Sequence, residues 1–380
     1  MNKKNKTPPT RRAFIVSAGM TAAAAAGAAL AGGEQPKITG APGILRKRLS
    51  LKMVTTWPKN FPGLGTGAER IAKRIVEMTD GAIDIRVYAG GELVPALGVF
   101  DAVAQGKADI YHGAEYYWQG KSPAYNFFTA VPFGLTASEM NAWIYHGGGQ
   151  ELWDELSRPF NIKPFAGGNT GVQMGGWFKK EIRSLEDLKG LRIRTPGLGG
   201  EVLARLGATP VTKAGGELFL ALSQGNIDGT EWVGPWNDMA FGFHTVAPYY
   251  YGPGFHEPGS TLSFGMNLEV WENLPKAYQA IVRAACSAEN DYMLAEYNAK
   301  NAQALDRLKR EHGILMRPFP DDVMEAAAQA AEEVLSDHAA ADPFAERVYK
   351  SFLEARTVYG SWAKVSEIAY FNARERSAHG

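Results

Sequence analysis

Cysteine is nearly missing from this sequence: Cys286 is the single one in 380 residues. That excludes an intramolecular disulfide and any cluster of thiolate metal ligands. Cys286 falls in a helical pattern, where a lone thiol serves as a small core residue. Charge of one sign is missing too, since 40 basic residues balance 40 acidic ones. No basic stripe is laid out to meet phosphates, so nucleic acid is not expected as a partner. Arg46-Lys47-Arg48 is a short run that reads as a solvated end. Beyond residue 31 no stretch approaches the ~20 strongly apolar residues of a membrane span.

Catalytic signatures are also absent. There is no G-x-S-x-G elbow, no Walker loop and no H-E-x-x-H pair. His256-Glu257 is followed by Pro258, which blocks a zinc-binding helix at that point. Gly197-Leu198-Gly199-Gly200 stands between a strand and a helix, yet its third glycine is misplaced for a dinucleotide fingerprint. No acidic residue ends the next strand at Val211 either. The plain reading of these glycines is a tight turn that presents a helix N-terminus to a cleft, a geometry that favours an anion.

What is present begins with Thr10-Arg11-Arg12-Ala13-Phe14-Ile15-Val16, followed by small residues from Ser17 to Ala31. Paired arginines, a weakly apolar run and Ala29-Leu30-Ala31 as a cleavage pattern predict a twin-arginine signal peptide over residues 1–31. The remaining length suggests two domains. The expected location is the periplasm.

Periodicity gives a first β-α-β-α-β unit. Leu49 to Trp57 reads as a strand, and Ile71, Ile75 and Met78 share a helix face. Ile83, Ile85 and Val87 alternate, a short helix surrounds Phe100, and Asp109-Ile110-Tyr111 is a strand. A second unit follows: a glycine-rich strand from Gly171 to Phe178, a capped turn at Ser184, a strand at Leu191–Arg194 and a helix from Glu201 to Leu206. Thr209–Val211, a helix from Glu217 to Ser223 and Asn226–Trp232 close it. Residues 234–259 are rich in Pro, Gly and aromatics and show no period. Thr261 to Asn267 reads as a strand crossing back. A long helical pattern runs from Pro275 to about Leu315, with further helices at Asp321–His338 and Pro343–Phe371. The last carries Val348, Phe352, Ala355, Tyr359 and Trp362 at helical spacing, which suits either a strut packed across both domains or a contact with a second copy.

Open parallel sheets bind ligands outside the carboxyl ends of their strands. Gln173, Arg194, and Glu231 with Trp232 all stand near such ends. An arginine there grips a carboxylate through two parallel hydrogen bonds. From spacing alone Arg194 is equally a salt-bridging residue, and Trp232 equally a packing aromatic.

Asp187-Leu188-Lys189-Gly190-Leu191-Arg192-Ile193-Arg194-Thr195-Pro196-Gly197 resembles the solute-binding proteins of tripartite ATP-independent periplasmic (TRAP) transporters, the DctP-like family. So do Leu222-Ser223-Gln224-Gly225-Asn226-Ile227-Asp228-Gly229-Thr230-Glu231 and Gly106-Lys107-Ala108-Asp109. The resemblance covers about residues 49–301. It implies an α/β, two-domain periplasmic binding protein fold with hinge strands and a long domain-spanning helix. The expected division is residues 45–166 plus 234–262 as the first domain, 167–233 plus 263–320 as the second, and 321–380 as C-terminal helices. Such proteins are receptors rather than enzymes, and they hand an organic acid to membrane permease subunits. The competing reading is an exported cofactor-dependent enzyme.

Residues 169–178 and Thr230-Glu231-Trp232 resemble the subgroup that holds 2-oxo or 2-hydroxy monocarboxylates together with a metal cation. The resemblance implies substrate contacts from Arg194, Gln173, Trp232, Tyr117, Tyr116 and Asn169. It implies cation ligands from Glu231, the Trp232 carbonyl, Gln173 and His256, although His256 stands where many members carry Gln. Hard oxygen donors suit sodium or calcium. The last helix is a candidate homodimer contact.

Overall fold

Leu49, Leu51 and Met53 alternate along the first strand, and the inward side chains are buried against a helix whose Ile71 and Ile75 share one face. A computed structural model describes residues 48–377, so the expected signal peptide over residues 1–31 lies outside the described residues. The strands in chain order are β1 (Leu49–Thr55), β2 (Ile83–Tyr88), β3 (Ile110–Gly113), β4 (Ile162–Asn169), β5 (Gly176–Phe178) and β6 (Arg192–Arg194). They continue with β7 (Thr209–Val211), β8 (Gly229–Thr230), β9 (Tyr249–Tyr251), β10 (Thr261–Asn267) and β11 (Leu315–Arg317).

Two sheets result. The first has the order β2-β1-β3-β10-β4, with β1 parallel to β2 and β3, and β10 antiparallel to β3 and β4. The second has the order β11-β9-β5-β8-β6-β7, in which β6 runs parallel to both β7 and β8. The parallel pairs come from the β-α-β units that the sequence predicts, because parallel neighbours need a crossover helix between them.

The helix Lys276–Glu311 packs on β4 and the helix Leu64–Met78, and farther along on the helix Pro235–Phe241. It therefore braces both sheets. Arg70 and Arg74 clasp its buried Glu289, at 2.6 and 3.1 Å. Its Tyr297 hydroxyl donates to Asn237 at 2.7 Å. Among the C-terminal helices, Asp321–Ala341 packs on Gly197–Arg205, and Pro343–Val365 packs on Ala137–His146 and Gly149–Ser157. Cys286 is buried in the core between the long helix and the first sheet.

Four sequence expectations differ from the structure. Tyr249–Tyr251, expected with the first sheet, pairs in the second as β9; β10, of which residues 263–267 were expected with the second, lies wholly in the first. The crossing from the second sheet to the first is the Pro/Gly segment 252–260, later than the expected boundary after residue 233. Pairing partners set sheet membership, and nothing local in a tyrosine triplet encodes them. Residues 234–259 also hold the helix Pro235–Phe241, whose seven residues make fewer than two turns and leave no period to read. The glycine-rich strand shortens to Gly176–Phe178, since residues 170–175 are a connecting segment. Residues 114–169 hold two helices, Ala137–His146 and Gly149–Ser157, and β4, none of which the sequence reading places.

Candidate functional site

The register of two short parallel strands builds the centre of the site. In β6 and β8, Arg194 stands opposite Thr230, and the Glu231 N–H donates to the Arg194 carbonyl at 3.1 Å. The side chains of Arg194 and Glu231 therefore emerge as neighbours at the carboxyl ends of their strands. Both are fully buried and form an ion pair through Arg194 Nη1 and Glu231 Oε1. Nη1 also donates to the Glu231 carbonyl at 3.3 Å, Nε to the Lys213 carbonyl at 3.2 Å and Nη2 to the Tyr117 hydroxyl at 3.2 Å. Burial works against the guanidinium charge, but Glu231 together with Tyr117, Tyr116 and Glu257 outweighs it and holds Arg194 above its ordinary range. The Trp232 ring lies 5.0 Å from the Arg194 guanidinium carbon. That ring is itself wedged edge-on among Trp57, Phe61 and Phe241.

Two connecting segments, 170–175 and 252–260, complete the site. They run antiparallel between the sheets, tied by N–H donors of Thr170 to Ser260, Gln173 to Glu257, Gly175 to Tyr251 and Gly254 to Gln173, at 2.8–3.0 Å. This pairing carries His256 and Glu257 to the Glu231 side chain and ties Gln173 to the same network through Ser260. Gln173 Nε2 donates to Thr170 Oγ1 at 3.0 Å and Ser260 Oγ at 3.1 Å, which fixes the amide and frees its oxygen. Ser260 in turn donates to Glu257 Oε2. One ligand atom each from Glu231, His256 and Glu257 lie within 4.8 Å of one another. Oxygens on opposite sides of a calcium ion at about 2.4 Å stand about 4.8 Å apart, so the three fit around one cation.

The remaining polar atoms support that fit. Gln173 Oε1, Glu231 Oε2, His256 Nε2 and Glu257 Oε1 are all buried without a hydrogen-bond partner. An unmet buried polar atom costs about 1–3 kcal/mol, so several on neighbouring residues call for a partner. Three of these residues, Glu231, His256 and Glu257, converge, and Gln173 joins them through Ser260; with all four at most 4 % exposed, they suit a cation. Burial alone lowers His256, but Glu231, whose carboxylate oxygen is 3.7 Å away, and Glu257 outweigh it and raise the imidazole. Burial and the Glu231 charge both raise Glu257. Glu257 is the residue that the sequence reading set aside. Its signal was His-Glu inside a loop punctuated by Pro253, Gly254, Pro258 and Gly259.

The other expected residues take distinct places. Tyr116 and Tyr117 enter from the turn after β3, and burial followed by the nearby Glu257 charge raises Tyr116. Gly197 and Gly199 explain the glycine cluster. Gly197 has φ +61° against Tyr116, and a Cβ on Gly199 would stand 2.7 Å from the His256 Cβ. Asn169 does not reach the cluster with its amide; it donates to Thr261 at 3.2 Å and accepts from the Gly171 N–H at 2.8 Å, shaping the segment that carries Gln173. Asp238, unremarked in the sequence, accepts from the N–H groups of Val233 and Gly234, from Trp177 Nε1 and from the Tyr250 hydroxyl. It pins the backbone just after Trp232, and burial pushes its carboxyl up to about 7.

Glu115, beside Tyr116, yields a pH prediction. Burial pushes its carboxyl up to about 8, against the opposing hydrogen bonds from Tyr111 at 2.9 Å and Trp153 at 3.1 Å. The folded protein keeps a proton here that the unfolded chain releases above about pH 4.5. The stabilisation is therefore complete below pH 4.5 and fades as pH rises toward 8. Glu115→Gln keeps an acceptor for Tyr111 and Trp153 and has no proton to hold. Its unfolding free energy should exceed wild type at pH 8 by an amount on the order of 2–4 kcal/mol, read as a higher melting temperature, and match it near pH 4.5. Equal differences at both pH values would show that Glu115 is ionised in the folded state.

The family described as DctP, bacterial extracellular solute-binding protein family 7, matches residues 53–342. The chain belongs to that family. A monocarboxylate 2-oxoacid-binding periplasmic protein of Nostoc sp. strain PCC 7120 is 45 % identical over 321 residues, 84 % of this chain and 88 % of the relative. A TRAP periplasmic solute-binding protein of Colwellia psychrerythraea, solved with bound calcium and pyruvate, superimposes with a TM-score of 0.84 at 44 % identity. That match covers 86 % of this chain and all of the other. Another from Pseudoalteromonas atlantica T6c, with bound sodium and pyruvate, gives 0.84 at 42 % identity, covering 86 % and 99 %. The DctP family accounts for the two sheets and the bracing helix, and the enzyme alternative finds no support in it. Among the described residues of this DctP protein, no helix is long and apolar enough to cross a membrane.

Proposed function

We propose that this protein is the exported receptor of a TRAP transporter, capturing a pyruvate-like 2-oxo monocarboxylate together with a cation. The observation that carries this reading is the buried Arg194 beside four unpartnered buried donors. A small carboxylate is costly to desolvate alone. Arg194 takes it through charge-assisted hydrogen bonds, using its unspent Nη2 hydrogen and the one now given to Tyr117 or Glu231. Glu231, freed from Arg194, would hold a calcium or sodium ion together with the Gln173 amide oxygen, the Trp232 carbonyl and His256. When bound, that cation supplies positive charge to the ligand's carboxylate and 2-oxygen. The ion pair seen here is thus the resting arrangement, in which each charge satisfies the other until the ligand exchanges their partners. Tyr116 and Trp232 wall the pocket against larger acids, and Asn169 acts by holding the Gln173 segment. Closure around the ligand is a hinge motion through segments 170–175 and 252–260.

Export through the twin-arginine route and delivery to permease subunits complete the reading. Val358, Trp362 and Val365 are 55 %, 70 % and 71 % exposed along one row of the last long helix, an apolar strip suited to a second copy of this chain. The purified protein should sediment at twice the chain mass, and Trp362→Glu should halve it; a wild-type monomer at tens of micromolar removes the dimer. The main test is thermal melting against a panel of carboxylates with calcium, sodium or EDTA. Pyruvate at a thousandfold its Kd should add about 4 kcal/mol, a rise of several degrees, and EDTA should remove most of it when calcium is the cation. No rise with any 2-oxo or 2-hydroxy acid rejects the receptor reading.

A further inference from the structure

Oxygen donors alone do not describe this pocket. The set includes His256 Nε2, buried, without a hydrogen bond, 3.7 Å from Glu231 Oε2 and grouped within 4.8 Å with a carboxylate oxygen of Glu257. The ring is also held in place, because the Gly199 backbone of the helix Gly197–Arg205 closes on its Cβ, where an added methyl would meet it at 2.7 Å. Calcium and sodium take oxygen ligands and gain little from an imidazole. Zinc, nickel and iron bind imidazole nitrogen well, and for a mixed nitrogen and oxygen site affinity rises along the first-row divalent series.

Charge separates divalent ions from sodium, and the imidazole separates the divalent ions from one another. In the deprotonated forms that ligate a metal, Glu231, Glu257 and neutral His256 against Arg194 leave one net negative charge in the described cluster, and a bound monocarboxylate makes it two. A divalent ion brings the filled pocket to neutrality, whereas a monovalent one leaves a buried charge uncompensated. Glu257 is fixed by Ser260, so its second oxygen is free without rearrangement.

We propose that this pocket binds a divalent first-row transition ion, such as zinc, more tightly than calcium, with His256 Nε2 as nitrogen ligand and Glu231 and Glu257 as carboxylate ligands. The proposal rests on the receptor reading only in placing ion and ligand in one pocket, and ion affinity is measured without ligand. EDTA-stripped protein is titrated calorimetrically with Zn2+ and separately with Ca2+, and Co2+ serves as a visible-absorption probe. Zn2+ should bind at least tenfold more tightly than Ca2+. His256→Gln should weaken Zn2+ at least tenfold, leave Ca2+ within about threefold and shift the Co2+ bands. Glu257→Gln, a second variant for the case that His256→Gln fails to fold, should weaken both ions. Equal or tighter Ca2+ binding in wild type, or a Zn2+ affinity indifferent to both substitutions, overturns the proposal. Pyruvate melts with calcium are run in parallel. A persisting pyruvate shift with failed zinc preference overturns this proposal alone, and its loss with every ion overturns the receptor reading while the zinc titration still decides this one.

Discussion

Arg194→Ala should lower pyruvate affinity by two to three orders of magnitude. The guanidinium is fully buried and ion-paired, and truncating one partner of such a pair costs about 3–5 kcal/mol, with every 1.4 kcal/mol a factor of ten. The loss has several parts. The carboxylate forfeits its charge-assisted donors. Glu231 keeps its charge without a partner, and the Trp232 face loses the cation above it. The ligand-free protein should melt lower as well, because its own ion pair is gone. Arg194→Lys separates charge from geometry. A lysine ammonium keeps the charge but is a point donor and lacks the planar fork that serves Lys213, Glu231 and Tyr117 at once. It should recover fold stability more fully than affinity, leaving about a tenfold deficit. Isothermal titration with pyruvate at fixed calcium measures both variants. Unchanged affinity in Arg194→Ala would remove Arg194 from the site.

How far the sequence reached can be judged on particular residues. Arg194 and Glu231 were legible because both end strands that local alternation marks, and parallel strands deliver their carboxyl ends to one edge. Their contact depends on the register Arg194 opposite Thr230, which no local pattern specifies. Glu257 was not legible. It reaches Glu231 through pairing between segments 170–175 and 252–260, some eighty residues apart in sequence, and beside Pro258 it looked only like a failed zinc helix. Asp238 lies in a stretch where aromatic content hid a helix too short to show a period, and its anchors Trp177 and Tyr250 reach it from β5 and β9. The exchange of β9 and β10 between sheets has the same cause, since strand partners are chosen by tertiary packing. Asn169 shows the converse limit. Its position beside the binding segment was readable, but the direction of its amide, toward Thr261 and Gly171, was a matter of three-dimensional partners.

Glu231→Gln should fail in the opposite manner from Arg194→Ala. The amide keeps the volume of the side chain and an acceptor for Arg194, but not the negative charge. Arg194 is then buried without a full counter-charge, so the ligand-free protein should lose on the order of 3 kcal/mol and melt lower. A bound carboxylate is now the sole strong anion Arg194 can meet at that face, which preserves some ligand binding. What disappears is the ion-dependent part. Without the Glu231 carboxylate the pocket retains Gln173, His256 and Glu257, too little charge to hold calcium beside a guanidinium. Pyruvate affinity should fall about a hundredfold and no longer respond to calcium or EDTA. In Arg194→Ala, by contrast, direct calcium titration should still show an ion bound, with Glu231 released from its partner. The two variants therefore dissociate the halves of the site. If calcium sensitivity survives Glu231→Gln intact, the ion is held elsewhere, and the Arg194–Glu231 pair is a strut rather than the resting state of a receptor.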